Sequence, residues 1–279
     1  MIGIIGQGFV GKAVYNKFKK YYQTHTYDKI ADLGITENSL EDVVRKSLYV
    51  FVCVPTPMNT DGSCSTSIVE SVLDEIEDVT SKMGESKVVI IKSTVICGTT
   101  KRLNEMYPSL NIVFNPEFLT ERNANEDYEN QDRIILGGDR PYTTELKQVF
   151  SKVFPNAHII KTDSTHAEMV KYLTNTFLSV KVSFANEIYD LCRSLNIDYD
   201  KVVEYATLDP RLGHSHWSVP GPDGDFGFGG HCFPKDLAAI IRLSFELGTL
   251  NNVLCSTQTT NDEVRAIRDW ELMKGRAIT

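Results

Sequence analysis

Two stretches of this chain hold residue types whose spacing suggests chemistry. The first is Gly6-Gln7-Gly8-Phe9-Val10-Gly11, a G-x-G-x-x-G that follows an apolar run over 2–5 and opens an amphipathic stretch. In that setting Gly6 permits a tight turn, Gly8 lets the backbone approach a pyrophosphate, and Gly11 lets helix and strand pack closely. The pyrophosphate would meet the amides and the positive end of the helix. Gly6, Gln7, Gly8, Phe9, Val10 and Gly11 are therefore the expected cofactor-binding turn. Asp28 ends the next strand and can accept hydrogen bonds from ribose hydroxyls. Its charge would repel a 2′-phosphate, which favours NAD over NADP, and Lys29 beside it softens that preference.

The second stretch is Gly227-Phe228-Gly229-Gly230-His231-Cys232-Phe233-Pro234-Lys235-Asp236. Cys232 closes a glycine-rich loop just before a helix start, where helix amides and Lys235 both favour a thiolate. The glycines leave room for a substrate. Read alone, Cys232 is a nucleophile or a small buried thiol in a turn. Lys171 and Asn175 are four apart and share a helix face; both can donate to an oxyanion, or both can face solvent. Glu117 and Glu121, also four apart, read locally as surface carboxylates. His214, His216, His231 and Cys232 lack the paired spacing of a structural zinc site, so no metal is expected.

The elements that must position these residues alternate along the first half. Strands are predicted over 2–5, 24–27, 48–54, 87–92, 111–114, 133–137 and 158–161, with helices over 12–22, 39–46, 67–83, 99–106 and 143–154. Such alternation predicts an α/β fold, a Rossmann-type doubly wound parallel sheet covered on both faces. After about residue 163 the character changes. Thr165-His166-Ala167-Glu168 has capping-box spacing, and a long helical pattern follows to about 195. Further helices are predicted over 199–206, 236–247 and from 259 to about 274, with a long loop over 209–230. This gives two domains: 1–163, binding the cofactor, and 164–279, helical and carrying the nucleophile loop. Apolar residues on more than one side of the long helix (Leu173, Phe177, Val180, Phe184, Ile188, with Met169 and Leu178) suggest burial against a partner, and a homodimer is expected.

With 279 residues, 42% hydrophobic and 24% charged, the chain is an ordinary globular one that can bury a sizeable core. A formal charge of −8 with no long basic run argues against nucleic acid as a partner. Six scattered cysteines without a C-x-x-C pair read as reduced thiols. No secretory signal or membrane-length apolar run is present, so a cytoplasmic protein without a membrane partner is expected.

Taken in order, several motifs resemble the UDP-glucose/GDP-mannose dehydrogenase family. They are the glycine turn at 6–11, Val54-Pro55-Thr56-Pro57, Lys92-Ser93-Thr94-Val95, Asn115-Pro116-Glu117-Phe118-Leu119-Thr120-Glu121, Lys171-Tyr172-Leu173-Thr174-Asn175, Asp209-Pro210-Arg211-Leu212-Gly213 and the Cys232 segment. The resemblance implies a four-electron oxidation of a nucleotide-sugar C6 alcohol to the carboxylate with two NAD, UDP-glucose to UDP-glucuronate being favoured. It implies Cys232 as nucleophile, passing through a thiohemiacetal and a thioester. Lys171 and Asn175 are implied as oxyanion donors. Thr94 and Asp236 are implied as the pair that handles a water and a proton, and Asp236 also competes for a helix N-cap role. Glu117 is implied as the base for thioester hydrolysis. Val54, Thr56, Thr94, Glu121 and Lys235 are implied near the cofactor. Glu117, Phe118, Leu119, Glu121, Lys171, Asn175, Arg211, Phe228 and Gly229 are implied around the substrate. Helical-domain dimerisation is implied as well.

The chain departs from the family pattern in places. A third, nucleotide-gripping α/β domain is usual there, and a sequence ending at Thr279 is expected to be a short form without it, a fragment, or a chain that holds its substrate differently. The loop from Arg211 to Cys232 is longer than usual, with 219–225 the expected insert, able to cover a site. Ile96-Cys97 and Arg122 also differ from the family. Two other readings remain: a two-electron β-hydroxyacid-type dehydrogenase, and a non-catalytic NAD- or sugar-nucleotide-binding subunit.

Overall fold

Short apolar segments too short to be helices, each followed by an amphipathic stretch, fold here into a seven-stranded sheet. The computed structural model describes residues 1–30 and 36–279. Along the chain run β1 (Ile2–Ile5), α1 (Phe9–Phe18), β2 (Thr24–Tyr27), α2 (Leu40–Arg45), β3 (Tyr49–Val52), α3 (Ser67–Met83), β4 (Lys87–Ile91), α4 (Thr99–Met106), β5 (Leu110–Phe114), α5 (Ala124–Glu129), β6 (Arg133–Gly137), α6 (Tyr142–Val153) and β7 (His158–Thr162). The sheet order is β2-β1-β3-β4-β5-β6-β7. Strand order reverses between β1 and β3, the switch point where ligands of such sheets bind at the carboxyl ends of the strands.

Successive side chains on a strand point to opposite faces, and the core divides accordingly. Val50 and Val52 face α2, α3 and α4, with Ile5, Ile91 and Phe114. Phe51, between them, faces α1 and α6, with Ile4, Ile90 and Leu136. On that second face Phe18 meets Phe51 and Phe150 edge-on, with ring centroids 5.1 and 5.4 Å apart.

The expected all-parallel sheet needs one correction. β5 and β6 pair antiparallel, through Phe114 and Gly137, while the other neighbours are parallel. An antiparallel neighbour needs no crossover, so residues 115–132 stay at the carboxyl end of β5 instead of crossing the sheet. That segment holds α5, which the sequence reading did not anticipate. Its Ala-Asn-Glu-Asp-Tyr-Glu is too short and polar to show a period, and it is fixed from α1 by Lys17 Nζ, 2.8 Å from Glu129 Oε1.

Beyond the sheet come α7 (Ser164–Ser194), α8 (Tyr199–Ala206), α9 (Phe233–Glu246), α10 (Asn252–Val264) and a 3-10 turn at Asp269–Leu272. The chain forms two compact units, Met1–Thr56 with Thr66–Lys171, and Pro57–Ser65 with Tyr172–Thr279. The division thus falls inside α7, not before it. Its first two turns pack with the sheet: a Cβ on Gly137 would lie 2.4 Å from that of Ala167. Glu168 accepts hydrogen bonds from Gly98 N, Thr100 N and Thr100 Oγ1 at 2.6–2.8 Å.

Several helix boundaries differ from expectation, among them those of α1, which runs Phe9–Phe18 rather than 12–22. Glu168 caps α4 rather than its own helix, and Asp163 Oδ1 accepts from His166 N instead. α9 begins at Phe233 with Pro234 in its first turn, so Cys232, not Asp236, is its N-cap. α10 spans Asn252–Val264 rather than 259–274. It ends where Arg265 turns extended (φ −77°, ψ 117°) and sends its guanidinium to three aspartates. Among the described residues no helix is long and apolar enough to cross a membrane.

Phe18 is fully buried at the centre of the aromatic cluster. Phe18→Ala is expected to lower unfolding free energy by about 3–5 kcal/mol, measured by urea denaturation.

Candidate active site

In the first unit the switch point is built as the glycine turn requires. Gly6 takes φ +91°, and a Cβ there would lie 2.6 Å from the Cys53 carbonyl oxygen at the end of β3. A Cβ on Gly11 would fall 1.8 Å from the Gly6 oxygen, so no side chain fits. A Cβ on Gly8 would meet nothing within 4 Å, and no side chain caps α1 there. This turn therefore offers open space at an uncapped helix N-terminus, which fits a pyrophosphate. Phe9 and Val10 begin the helix half-buried; Val10 leans on the core. Gln7 is buried, its Nε2 donating to the Gly6 oxygen.

Asp28 sits beside this turn and braces it. Its Oδ2 accepts from Gln7 N at 2.6 Å and its Oδ1 from Ile30 N at 2.8 Å. Each carboxylate oxygen retains a lone pair for a ribose hydroxyl. The expected β3-end residues interlock: Thr56 Oγ1 donates to the Thr94 oxygen at 2.7 Å, and Ser93 Oγ to the Val54 oxygen at 2.6 Å.

Glu117, Phe118, Leu119 and Lys171 come together on the segment after β5. Lys171 Nζ donates to the Glu117 carbonyl (2.5 Å) and to its Oε1 (3.0 Å), and Leu119 N donates to its Oε2 (2.8 Å). The Phe118 ring lies under Lys171 Nζ at 5.5 Å and Arg133 at 4.2 Å. Burial opposes the Glu117 charge, yet Lys171, the Leu119 amide and Lys92 hold its carboxyl below the ordinary value. Glu121 is exposed. Lys92 and Asn115, to which the sequence motifs assign no role, are the foundation of this segment. Lys92 Nζ donates to Asn115 Oδ1 at 2.9 Å, and Asn115 Nδ2 to the Ile135 oxygen at 2.8 Å. Burial pulls Lys92 down to about 8. A lone lysine closing an apolar strand is the signal that could have marked it.

In the second unit Cys232, Asn175, Lys235 and Asp236 gather at the start of α9. Asp236 is 1% exposed; its Oδ1 accepts from Lys235 Nζ at 2.5 Å and its Oδ2 from Asn175 Nδ2 at 2.6 Å. Burial opposes the charge of Lys235, but Asp236, then Cys64 and Cys232, raise its pKa above the ordinary range. A fixed ammonium and a helix N-terminus both favour thiolate at Cys232. Phe228 packs in the core with Leu237 and Ile241. Arg211 is exposed and paired with Asp209. The 219–225 segment is pinned, with Asp225 Oδ2 accepting from Ile267 N at 3.0 Å.

Removing Lys171 tests the first unit's pair. Lys171→Met removes the cation paired with the buried Glu117 carboxylate and is expected to cost about 3–5 kcal/mol at pH 7. A lowered acid pKa stabilises the fold above the ordinary value of 4.5, and that contribution is lost as pH falls through the native value. The stability gap to wild type, read by urea denaturation, should therefore widen from pH 4 to 7; a constant gap contradicts the pairing.

Comparison with known proteins places this geometry. Residues 29–157 match the NAD binding domain of the UDP-glucose/GDP-mannose dehydrogenase family, and residues 165–263 match its central domain. The UDP-glucose 6-dehydrogenase AglM of Haloferax volcanii is 32% identical over 254 residues, covering 86% of this chain and 54% of that protein. TuaD of Bacillus subtilis, also named a UDP-glucose 6-dehydrogenase, is 31% identical, covering 87% and 53%. The chain spans about half the length of these curated relatives. The structure of a UDP-glucose dehydrogenase from Pyrobaculum islandicum superposes with a TM-score of 0.86 at 29% identity, covering 94% of this chain and 68% of that one. With both domain matches in chain order on a Rossmann-type sheet and a helical region, the chain belongs to the UDP-glucose/GDP-mannose dehydrogenase family.

Proposed function

We propose that the chain catalyses the NAD-dependent, four-electron oxidation of a nucleotide-sugar C6 alcohol to the carboxylate, with UDP-glucose as substrate and UDP-glucuronate as product. The observation that carries this reading is Cys232 as N-cap of α9, with buried Lys235 and Asp236 on the following turn and Asn175 reaching Asp236 from α7. A two-electron alcohol dehydrogenase has no use for a thiol there. The choice of UDP-glucose rests on the names of the relatives.

NAD, when bound, supplies the acceptor for both oxidations, two molecules per acid formed. Gly6 and Gly11 let the turn close tightly, Gly8 makes room for its pyrophosphate, and Asp28 orients its ribose. Asp236 takes the proton released as the alcohol becomes an aldehyde. The Cys232 thiolate adds to the aldehyde carbon, forming a C–S bond and a thiohemiacetal. Oxidation of that adduct gives a thioester. Water then cleaves the C–S bond, releasing the acid and the thiol. Asn175 and Lys171 are the donors assigned to developing oxyanions. Thr94 is assigned to hold water, and Glu117, kept anionic, to accept its proton. Arg211 is assigned to the substrate.

The chain is also proposed to act as a homodimer through α7. Leu173, Phe177, Phe184 and Leu191 recur at four- and seven-residue spacing on that helix, and each is more than half exposed. A reducing, cytoplasmic setting is proposed because no disulfide joins any of the six cysteines among the described residues.

The test counts NADH per acid formed from UDP-glucose and NAD. Two NADH per acid and no acid from Cys232→Ala are expected; one NADH and a fully active Cys232→Ala overturn the reading. Sedimentation velocity at micromolar concentration should show a dimer that Phe177→Asp dissociates, and a wild-type monomer refutes that part.

A further inference from the structure

The loop that runs into Cys232 is held by residues far along the chain, none of which carries a role in the reaction above. Asn261 on α10 satisfies both backbone groups of Phe228: its Oδ1 accepts from Phe228 N at 2.7 Å, and its Nδ2 donates to the Phe228 oxygen at 3.0 Å. Asp269 accepts from Gly230 N with both carboxylate oxygens, at 3.1 and 3.0 Å.

Arg265 lies behind these contacts with 3% of its side chain exposed. Its Nη2 is 2.7 Å from Asp223 and 3.4 Å from Asp269, and its Nε is 3.5 Å from Asp225. It also donates to the carbonyl oxygens of Ile267 (2.8 Å) and Phe226 (3.4 Å). A Cβ on Gly229 would fall 2.3 Å from Arg265 Nη2 and 2.4 Å from Asp269 Oδ1. The backbone at 229 therefore passes directly over this ion pair.

Two features make the arrangement more than a surface salt bridge. A guanidinium buried this deeply must have its charge and its five N–H donors met, and here carboxylates and carbonyls surround it. Two of the three carboxylates, Asp223 and Asp225, come from the 219–225 segment. That segment is thus anchored to Arg265. Gly230 is only two residues before Cys232, a span of at most roughly 7 Å, so the backbone direction set at Gly230 passes straight to the α9 N-cap.

We propose that Asp269, oriented by Arg265, is a positioning residue for Cys232: by holding the Gly230 amide it sets the line along which the chain enters α9 and where the thiol points. The proposal rests on the reading of Cys232 as nucleophile.

The test uses the full chain with Asp269→Ala, Asp269→Asn and Cys232→Ala. The readouts are kcat and KM with UDP-glucose and NAD, NAD affinity by fluorescence titration, and the rate of Cys232 alkylation by iodoacetamide, mapped by peptide mass. A displaced thiol predicts that Asp269→Ala loses about 100-fold in kcat. NAD affinity should be unchanged and the Cys232 alkylation rate altered. Asp269→Asn, whose amide oxygen still accepts from Gly230 N, should recover most of the loss. Wild-type kcat and alkylation in Asp269→Ala overturn the proposal, as does a parallel loss of NAD affinity, which marks general destabilisation. If Asp269→Ala does not fold, amide exchange in the unmodified protein decides. Strong protection at Gly230 supports the clamp, and exchange at the rate of an unprotected peptide refutes it. A fully active Cys232→Ala would instead remove the nucleophile reading and leave the clamp as architecture.

Discussion

At the start of α9 a lysine and an aspartate are buried side by side, and the arrangement around Cys232 follows from how that burial is made tolerable. Either charge alone would cost several kcal/mol to remove from water. Lys235 and Asp236 neutralise each other at 2.5 Å, and Asn175 occupies the second carboxylate oxygen. Positions i, i+3 and i+4 share a helix face, so Cys-x-x-Lys-Asp places thiol, ammonium and carboxylate together without help from elsewhere in the chain. Pro234 costs nothing in the first turn, where its missing N–H has no partner to lose. The order of five residues is thus already a piece of geometry.

The first unit meets the same constraint by different means. Glu117 lies on a segment with no helix of its own, so its charge is balanced from three directions. Lys171 comes from α7, the Leu119 amide from the same turn, and Lys92 from the end of β4. The antiparallel β5–β6 pairing makes this possible by keeping residues 115–132 at one end of the sheet. Glu168 adds the last restraint. One turn before Lys171, it replaces the missing side-chain cap of α4 and ties α7 to the β4–α4 turn. Lys171 therefore enters from a helix whose first turns are fixed to the sheet.

What was legible in the sequence was what depends on near neighbours. The apolar run over 48–54 reads as a strand, its alternation with amphipathic stretches reads as an α/β sheet, and the glycine turn reads as the corner between the first strand and helix. Contacts made across thirty or more residues left little trace. Arg265 and Asp269 fall inside the stretch read as helix from 259 to about 274 and carry no mark of their role there, because their partners are set by folding and not by spacing. Glu168 at capping-box spacing was misleading: the local hydrogen bond it suggests loses to three donors on α4 that tertiary packing brings to it. α10 was shifted for a related reason. Its polar Gln-Thr-Thr stretch shows no stripe, and its true end is set by the side chain of Arg265.

Glycines show why composition alone could not separate ligand space from protein packing. The sequence reading assigned the glycines near Cys232 to substrate approach, as it assigned Gly8 to the pyrophosphate. A Cβ at Gly8 meets nothing within 4 Å, so no protein atom explains why a side chain is missing, and a ligand can. A Cβ at Gly229 collides with Arg265 and Asp269, and one at Gly227 lies 2.3 Å from Asn261 Oδ1. There the protein itself fills the space, and the same residue type serves rigidity. A glycine-rich loop before a thiol is therefore as consistent with a backbone clamped from behind as with one opened to substrate. The distinction lies in which atoms stand where the missing methyl would be.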